Sequence, residues 1–260
     1  MRTSTIAERI NAERLALLGW SRAILLQLAH PLIAAGVAEH STFREGHLTA
    51  ARRLHHTVGS MLSLTFGTEA EREATYALIK GIHRRVNGVL SEDAGAFSAG
   101  TRYSAEDPSL LLWVHATLID SMLLVHSRLV RPLTDSERDE YCREAAPVVR
   151  ALGASDGVPE TFDDVQRYLG RMYGSGEIAV SRQARELAGA VIEPPLSWIV
   201  APATRINRVV TLGLLPSDVR AQYGFRWTTE DERSFERWLR LLRVLRRVTP
   251  EWIAFWRAAR

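Results

Sequence analysis

The sequence predicts an all-α fold, a single globular domain built from many helices. Three observations carry this. Nearly every apolar segment repeats at three- and four-residue spacing, the period of one helix face. Several of these segments begin at Ser, Thr or Asp, the residues that cap helix starts. Alternating apolar and polar runs bounded by turn residues, the mark of strands, are missing throughout.

Taken in order, a helix over 6–18 follows Thr5 as its cap and sets Ile6, Ile10, Leu15 and Leu18 at helical spacing. The run SRAILLQLAHPLIAAGVA is interrupted at Pro31, which disfavours helix at His30, so a kink or a helix end is expected at the His-Pro pair. Further helices are read over 47–66, 69–90, 107–131, 135–152, 161–173 and 177–191. Pro194 and Pro195 then mark a break. Helices at about 196–212 and 229–247 follow, with a short Trp-rich one at the end. Connections are short and no linker separates domains, so 1–260 reads as one domain. No fixed-period repeat supports a solenoid.

The composition, 46% hydrophobic and 24% charged, is ordinary globular usage. A pI near 9.3 accompanies a formal charge of only +3. Lys80 is the sole lysine, so the Arg bias reflects coding preference more than a nucleic-acid footprint, and no nucleic-acid-binding motif is present. Cys142 stands alone and cannot form an internal disulfide, which suits a reducing compartment. The first twenty residues lack the apolar core of a secretory signal. The longest apolar segment, Leu110–Val125, is interrupted by His115, Thr117, Asp120 and Ser121. Polar groups are costly in lipid and a span needs about 20 apolar residues, so a buried core helix and a cytoplasmic protein are expected.

The helix over 229–247 places Phe235, Trp238, Leu242 and Leu245 on one stripe, with Arg237, Arg240, Arg243 and Arg247 largely opposite. Such a helix either docks by its apolar stripe or makes peripheral contact with an anionic membrane.

All eight histidines lie in the first 126 residues. None belongs to an HExxH or Glu-x-x-His pair, so zinc-protease and di-iron bundle chemistry lack their ligands. GxSxG, GxGxxG and CxxCH are also missing. A metal chemistry here needs a cofactor that brings most of its own ligands; haem b asks for one axial imidazole, a polar distal group and an apolar slot. His83 lies on a stripe with Tyr76, Ile79, Val86 and Leu90, as either a ligand or a core histidine bonded to a carbonyl. His115 shares its apolar helix with Thr117 and Asp120, polar groups that must find partners when buried; it is a second ligand, a supporting group, or part of a structural network. In RRLHHT, Arg53, His56 and Thr57 converge at i, i+3 and i+4, either solvating an exposed turn or donating hydrogen bonds to a bound oxygen species.

Five blocks in order, GWSRAILLQLAHPLIAAGVAEHSTF, RRLHHTVGSMLSLTFG, HRRVNG, DPSLLLWVHATLIDS and TLGLLPSDVRAQYG, resemble the MpaB-type and rubber-oxygenase (latex-clearing-protein-like) catalytic domain family. The resemblance runs from about Arg14 to Gly224. It implies an all-helical fold around non-covalently bound haem b, and cleavage of isoprenoid C=C bonds with dioxygen. By the resemblance, His83 of the HxxVxG block is the proximal haem ligand, Arg53 and Thr57 of the RxxxT block lie on the distal side, and His115 matches a further family histidine. The rubber oxygenases carry lysine where this chain has His56. Imidazole binds iron better than ammonium does, so His56 is a candidate distal ligand. Glu39, in GVAEHS, is the candidate for the family's carboxylate base.

The chain also lacks the export signal and the membrane anchor of relatives, so a small hydrophobic intracellular metabolite is expected as substrate. The resulting expectation is a haem-dependent oxygenase. Its rivals are a haem-binding sensor, carrier or peroxidase-like protein, and a cofactor-free helical lipid-binding protein. The oligomeric state is not legible.

Overall fold

The computed structural model describes residues 4–40, 47–192 and 201–259; the side chains of 47–56 and 201–203 lie outside that description. Among the described residues the fold is all-α: thirteen helices and one two-stranded hairpin.

Helix α1 (Ile6–Asn11) begins with a capping box in which the Thr5 hydroxyl accepts from the Glu8 N–H and the Glu8 carboxylate accepts from the Thr5 N–H. The helix expected over 6–18 is in fact two. It stops at Asn11, and α2 spans Ala16–Leu28. The turn between them is claimed by the other end of the chain. The Ala12 carbonyl accepts from the Trp256 N–H at 2.9 Å, and the Arg14 N–H donates to the Ala254 carbonyl at 2.8 Å. Glu13, buried beside them, takes three hydrogen bonds from Arg246. Backbone groups spent on a distant segment cannot also close helical turns.

The chain bends by 104° between α2 and α3 (Pro31–His40), at the expected His30-Pro31 break. Helix α4 covers His47–Phe66 and α5 covers Glu69–His83, the latter starting with a capping box from Thr68 to Glu71. The hairpin follows as β1 (Asn87–Val89) and β2 (Arg102–Ser104), antiparallel with Gly88 opposite Tyr103.

The core is organised around α6 (Pro108–Leu129), which packs on α2 and also meets α1, α7 (Asp135–Leu152), α8 (Phe162–Gly174) and α12 (Thr229–Val248). By length and composition α6 could cross a membrane, yet most of its apolar stretch is buried against these helices, as a core helix should be. Gly19 of α2 lets the pair close: a Cβ there would lie 3.0 Å from the Ser121 carbonyl oxygen. Asp120, which needed a partner, finds it in buried Arg22 at 2.8 Å, and Arg22 also donates to Ser121 Oγ and the Leu214 carbonyl. A charge pair this dry holds only when its remaining donors and acceptors are met.

The rest of the chain wraps that pair: α9 (Arg182–Ile192), α10 (Ala201–Leu214), α11 (Ser217–Gln222), α13 (Glu251–Ala254) and a final 3₁₀ turn, Arg257–Ala259. Helix α9 starts five residues later than the 177 expected. The Ala179 N–H is spent on the Ala29 carbonyl and the Val180 N–H on Gln222 Oε1, which leaves that stretch extended.

Candidate functional site

The site grows from the end of α5. The sequence suggested a helix over 69–90 with Val86 and Leu90 continuing the His83 stripe. The helix ends at His83, and the strand absent from that expectation begins at Asn87. The His83 carbonyl accepts from the Val86 N–H at 2.9 Å, closing a turn, and Asn87-Gly88 then enters the hairpin. Val86 and Leu90 leave the stripe and pack with Leu32, Ala35, Tyr103 and Leu110.

This explains the HRRVNG block physically. Val86 Cγ1 seats against Gly36 of α3, where an added Cβ would come within 3.3 Å. Gly88 is required by its neighbours: a Cβ there would lie 2.6 Å from Tyr103 Oη and 3.1 Å from Glu39 Oε2. Those two atoms are themselves bonded, with the Tyr103 hydroxyl donating to Glu39 Oε2 at 2.5 Å. Burial, then the Glu39 hydrogen bond and charge, raise the Tyr103 hydroxyl well above its ordinary value, so it stays a donor. Next to it, His40 Nε2 pairs with the Asn87 carbonyl oxygen at 2.9 Å, and its ring stands edge-on to Tyr103. The end of α3 is thus locked to the hairpin that follows His83.

His83 is half-buried. Desolvation depresses its basicity, partly opposed by the charge of Glu106, and its Nδ1 is buried without a hydrogen-bond partner. On the same turns, but on a different face of the helix, Leu78 and Ile82 are 56% and 45% exposed.

His115 is buried in α6 with Nε2 unpartnered, and burial with the nearby Arg150 charge pushes it down to about 4. Arg53 and His56 belong to α4, but their side chains lie outside the described residues. Thr57, one residue on, is exposed. Among the described residues, no group of three or more His, Cys, Asp or Glu is placed to hold a bare metal ion.

The structure therefore joins Glu39 to the hairpin after His83 and adds Tyr103, His40 and Gly88, which sequence reasoning passed over. The glycine was inside a quoted block. Tyr103 could have been found from the short alternation around it, since Arg102, Tyr103 and Ser104 run exposed, buried, intermediate, the period-two pattern of a half-buried strand.

Residues 8–244 match the family described as ER-bound oxygenase mpaB/B′/rubber oxygenase, catalytic domain. The chain belongs to this family. The mpaB/rubber-oxygenase family is an oxygenase family associated in general with haem. Two relatives are each 29% identical over 244 residues, covering 88% of this chain and 89% of theirs: the uncharacterized protein Rv2237 of Mycobacterium tuberculosis and the uncharacterized protein Mb2261 of Mycobacterium bovis. No solved structure matches the chain.

Within this mpaB-type domain, Gly88→Ala should cost about 1–3 kcal/mol of stability, the usual effect of forcing a methyl into filled space. Tyr103→Phe removes the nearest of the three crowding atoms and leaves the ring Cζ at 2.8 Å and Glu39 Oε2 at 3.1 Å. The double variant should therefore be less destabilised in urea melts than the sum of the singles; strict additivity would show that the two residues do not meet.

Proposed function

We propose that this protein is a haem b-dependent oxygenase that uses dioxygen on a small hydrophobic metabolite, splitting a C=C bond of an isoprenoid-like or aromatic compound. The observation that carries the proposal is the half-buried imidazole of His83 at the end of α5, its basicity lowered by desolvation and its buried Nδ1 leaving Nε2 as the nitrogen that could meet a ligand. A neutral imidazole with one nitrogen not hydrogen-bonded within the protein would be able to hold a haem iron. Tyr76 and Ile79, half-buried on the same face of α5, would offer apolar surface to a macrocycle. His83 would hold the haem; His115, also neutral with a free Nε2, would support the same site.

When bound, haem supplies the activation of dioxygen that side chains alone do not provide. The residues of the chain do the positioning and the proton handling. Arg53 and Thr57, four positions apart on α4, are the proposed donors that orient dioxygen by charge-assisted hydrogen bonds. Glu39 is the proposed proton acceptor. Tyr103 occupies Oε2, and Oε1 makes no hydrogen bond within the described residues, so one carboxylate oxygen is steadied while the other is left to receive a proton. His56 is the alternative acceptor, or a second ligand to iron.

Hemin titration followed by absorbance, with carbon monoxide added after reduction, tests the first half. A Soret band and a carbon monoxide complex are expected. A low-spin spectrum that refuses carbon monoxide would instead favour a haem protein without oxygenase activity, capped by His56. No Soret band at all would leave the lipid-binding alternative. Oxygen uptake with candidate olefins tests the second half. Arg53→Ala should keep its haem and lose roughly 10²–10³-fold in turnover, the cost of removing one preorganised donor.

A further inference from the structure

The helix α12 carries two apolar faces, and only one is used by the fold. Phe235 and Leu239 are buried, and Trp238 and Leu242 pack beside them against α10 and α6. Leu245, which the sequence placed on this docked stripe, belongs to the other face. There Leu241, Val244, Leu245 and Val248 recur at i, i+3, i+4 and i+7, all exposed, with Val248 at 72%. Beyond Pro250 the same apolar character continues in exposed Trp252 and Ile253. A contiguous apolar stripe of this kind on a protein surface marks a docking site.

The charges around the stripe identify its occupant. At 100° per residue, Arg237 falls inside the stripe, and Arg233, Arg240 and Arg247 follow one edge of it. None of these four is in an ion pair among the described residues. The arginines on the opposite side are engaged: Arg246 holds Glu13 and Arg243 donates to the Arg128 carbonyl. Glu236, the acid closest to the basic edge, is met by Arg128. A second copy of the chain is a poor occupant. A two-fold contact would set each copy's four arginines against a face whose acidic groups are only Glu230, in the first turn of α12, and Glu251, past its end.

From this pattern we propose that the outer face of α12, with Trp252 and Ile253, docks on an anionic membrane surface. The apolar stripe would enter the acyl boundary, the tryptophan would sit at headgroup level, and the arginines would meet the lipid phosphates. The inference is independent of haem and of the oxygenase reaction.

Sedimentation of the full chain with vesicles of phosphatidylcholine, alone or mixed with phosphatidylglycerol, tests it. Binding is expected to the mixed vesicles and to weaken with added salt. Arg237→Gln and Arg247→Gln should each lower affinity by about fivefold, and Val248→Asp should abolish it. All three positions lie outside the core, so circular dichroism melts should match the wild type and show that the variants fold. Equal binding to both vesicle types, or none to either, would overturn the proposal. So would a dimer in light scattering that Val248→Asp dissolves, which would assign the face to a second copy.

Discussion

His83→Ala is expected to fold like the wild type and to take up no stoichiometric haem. The ring makes no hydrogen bond through Nδ1, and the residue is only half-buried at the last position of α5. Its loss therefore breaks no paired contact, and away from such contacts substitutions usually shift stability by within about 0.5 kcal/mol. On the proposed reading a haem would lose the imidazole that holds its iron. Absorbance after hemin addition should show the Soret band of the wild type and its absence in the variant. Added imidazole should restore part of it by filling the vacated space. The depressed basicity of His83 gives a further sign. On the proposed reading a proton would compete with iron for this ring only below the usual histidine value near 6.5, so the wild type should hold haem through mildly acidic pH and release it further down. Full haem occupancy in His83→Ala would remove the ligand assignment.

The second large effect is acid lability. His30, His115 and His126 are buried, and desolvation pushes each from 6.5 down to about 4. Carboxylates oppose the shift at two of them, Asp107 at His30, where Glu177 also lies at 3.7 Å, and Glu137 at His126, but burial outweighs both. Between pH 6.5 and 4 the unfolded chain binds protons at these positions and the folded chain does not. Stability is thus fully present above the unfolded value and falls as pH drops through that window. Each ring can contribute roughly 3 kcal/mol at the acid end, and a domain of ordinary stability has about 5–15 kcal/mol in all. The protein should unfold cooperatively before pH 4. Urea titrations from pH 7 to 4.5 should show a steepening loss, reduced in His126→Gln. A flat stability profile across that range would mean that the rings gain protons without cost.

Several features were legible because their causes are local. Thr5 announces α1, and Pro31 announces the bend. Asp120 and His115, polar groups on an apolar helix, demanded explanation. The structure satisfies one with Arg22 and leaves a nitrogen of the other without a partner. That difference separates a structural pair from a candidate supporting group, and no spacing rule distinguishes them in advance. The basic helix near the C-terminus was also legible as amphipathic. Its second apolar face was not, because the residues that cover Phe235 and Leu239 come from α10 and α6.

What the sequence by itself determined is the helical period, most helix starts, the break at Pro31, and the family through five ordered blocks. Each depends on residues within a few turns of one another. What only the tertiary structure decided is where helices yield. Trp256 takes the Ala12 carbonyl across most of the chain's length, Ala29 takes the Ala179 N–H, and Tyr103 pairs with Gly88 and secures Glu39. A backbone group makes its hydrogen bond with whichever partner folding brings to it, and a partner 244 positions away, as Trp256 is from Ala12, leaves no trace in the local pattern.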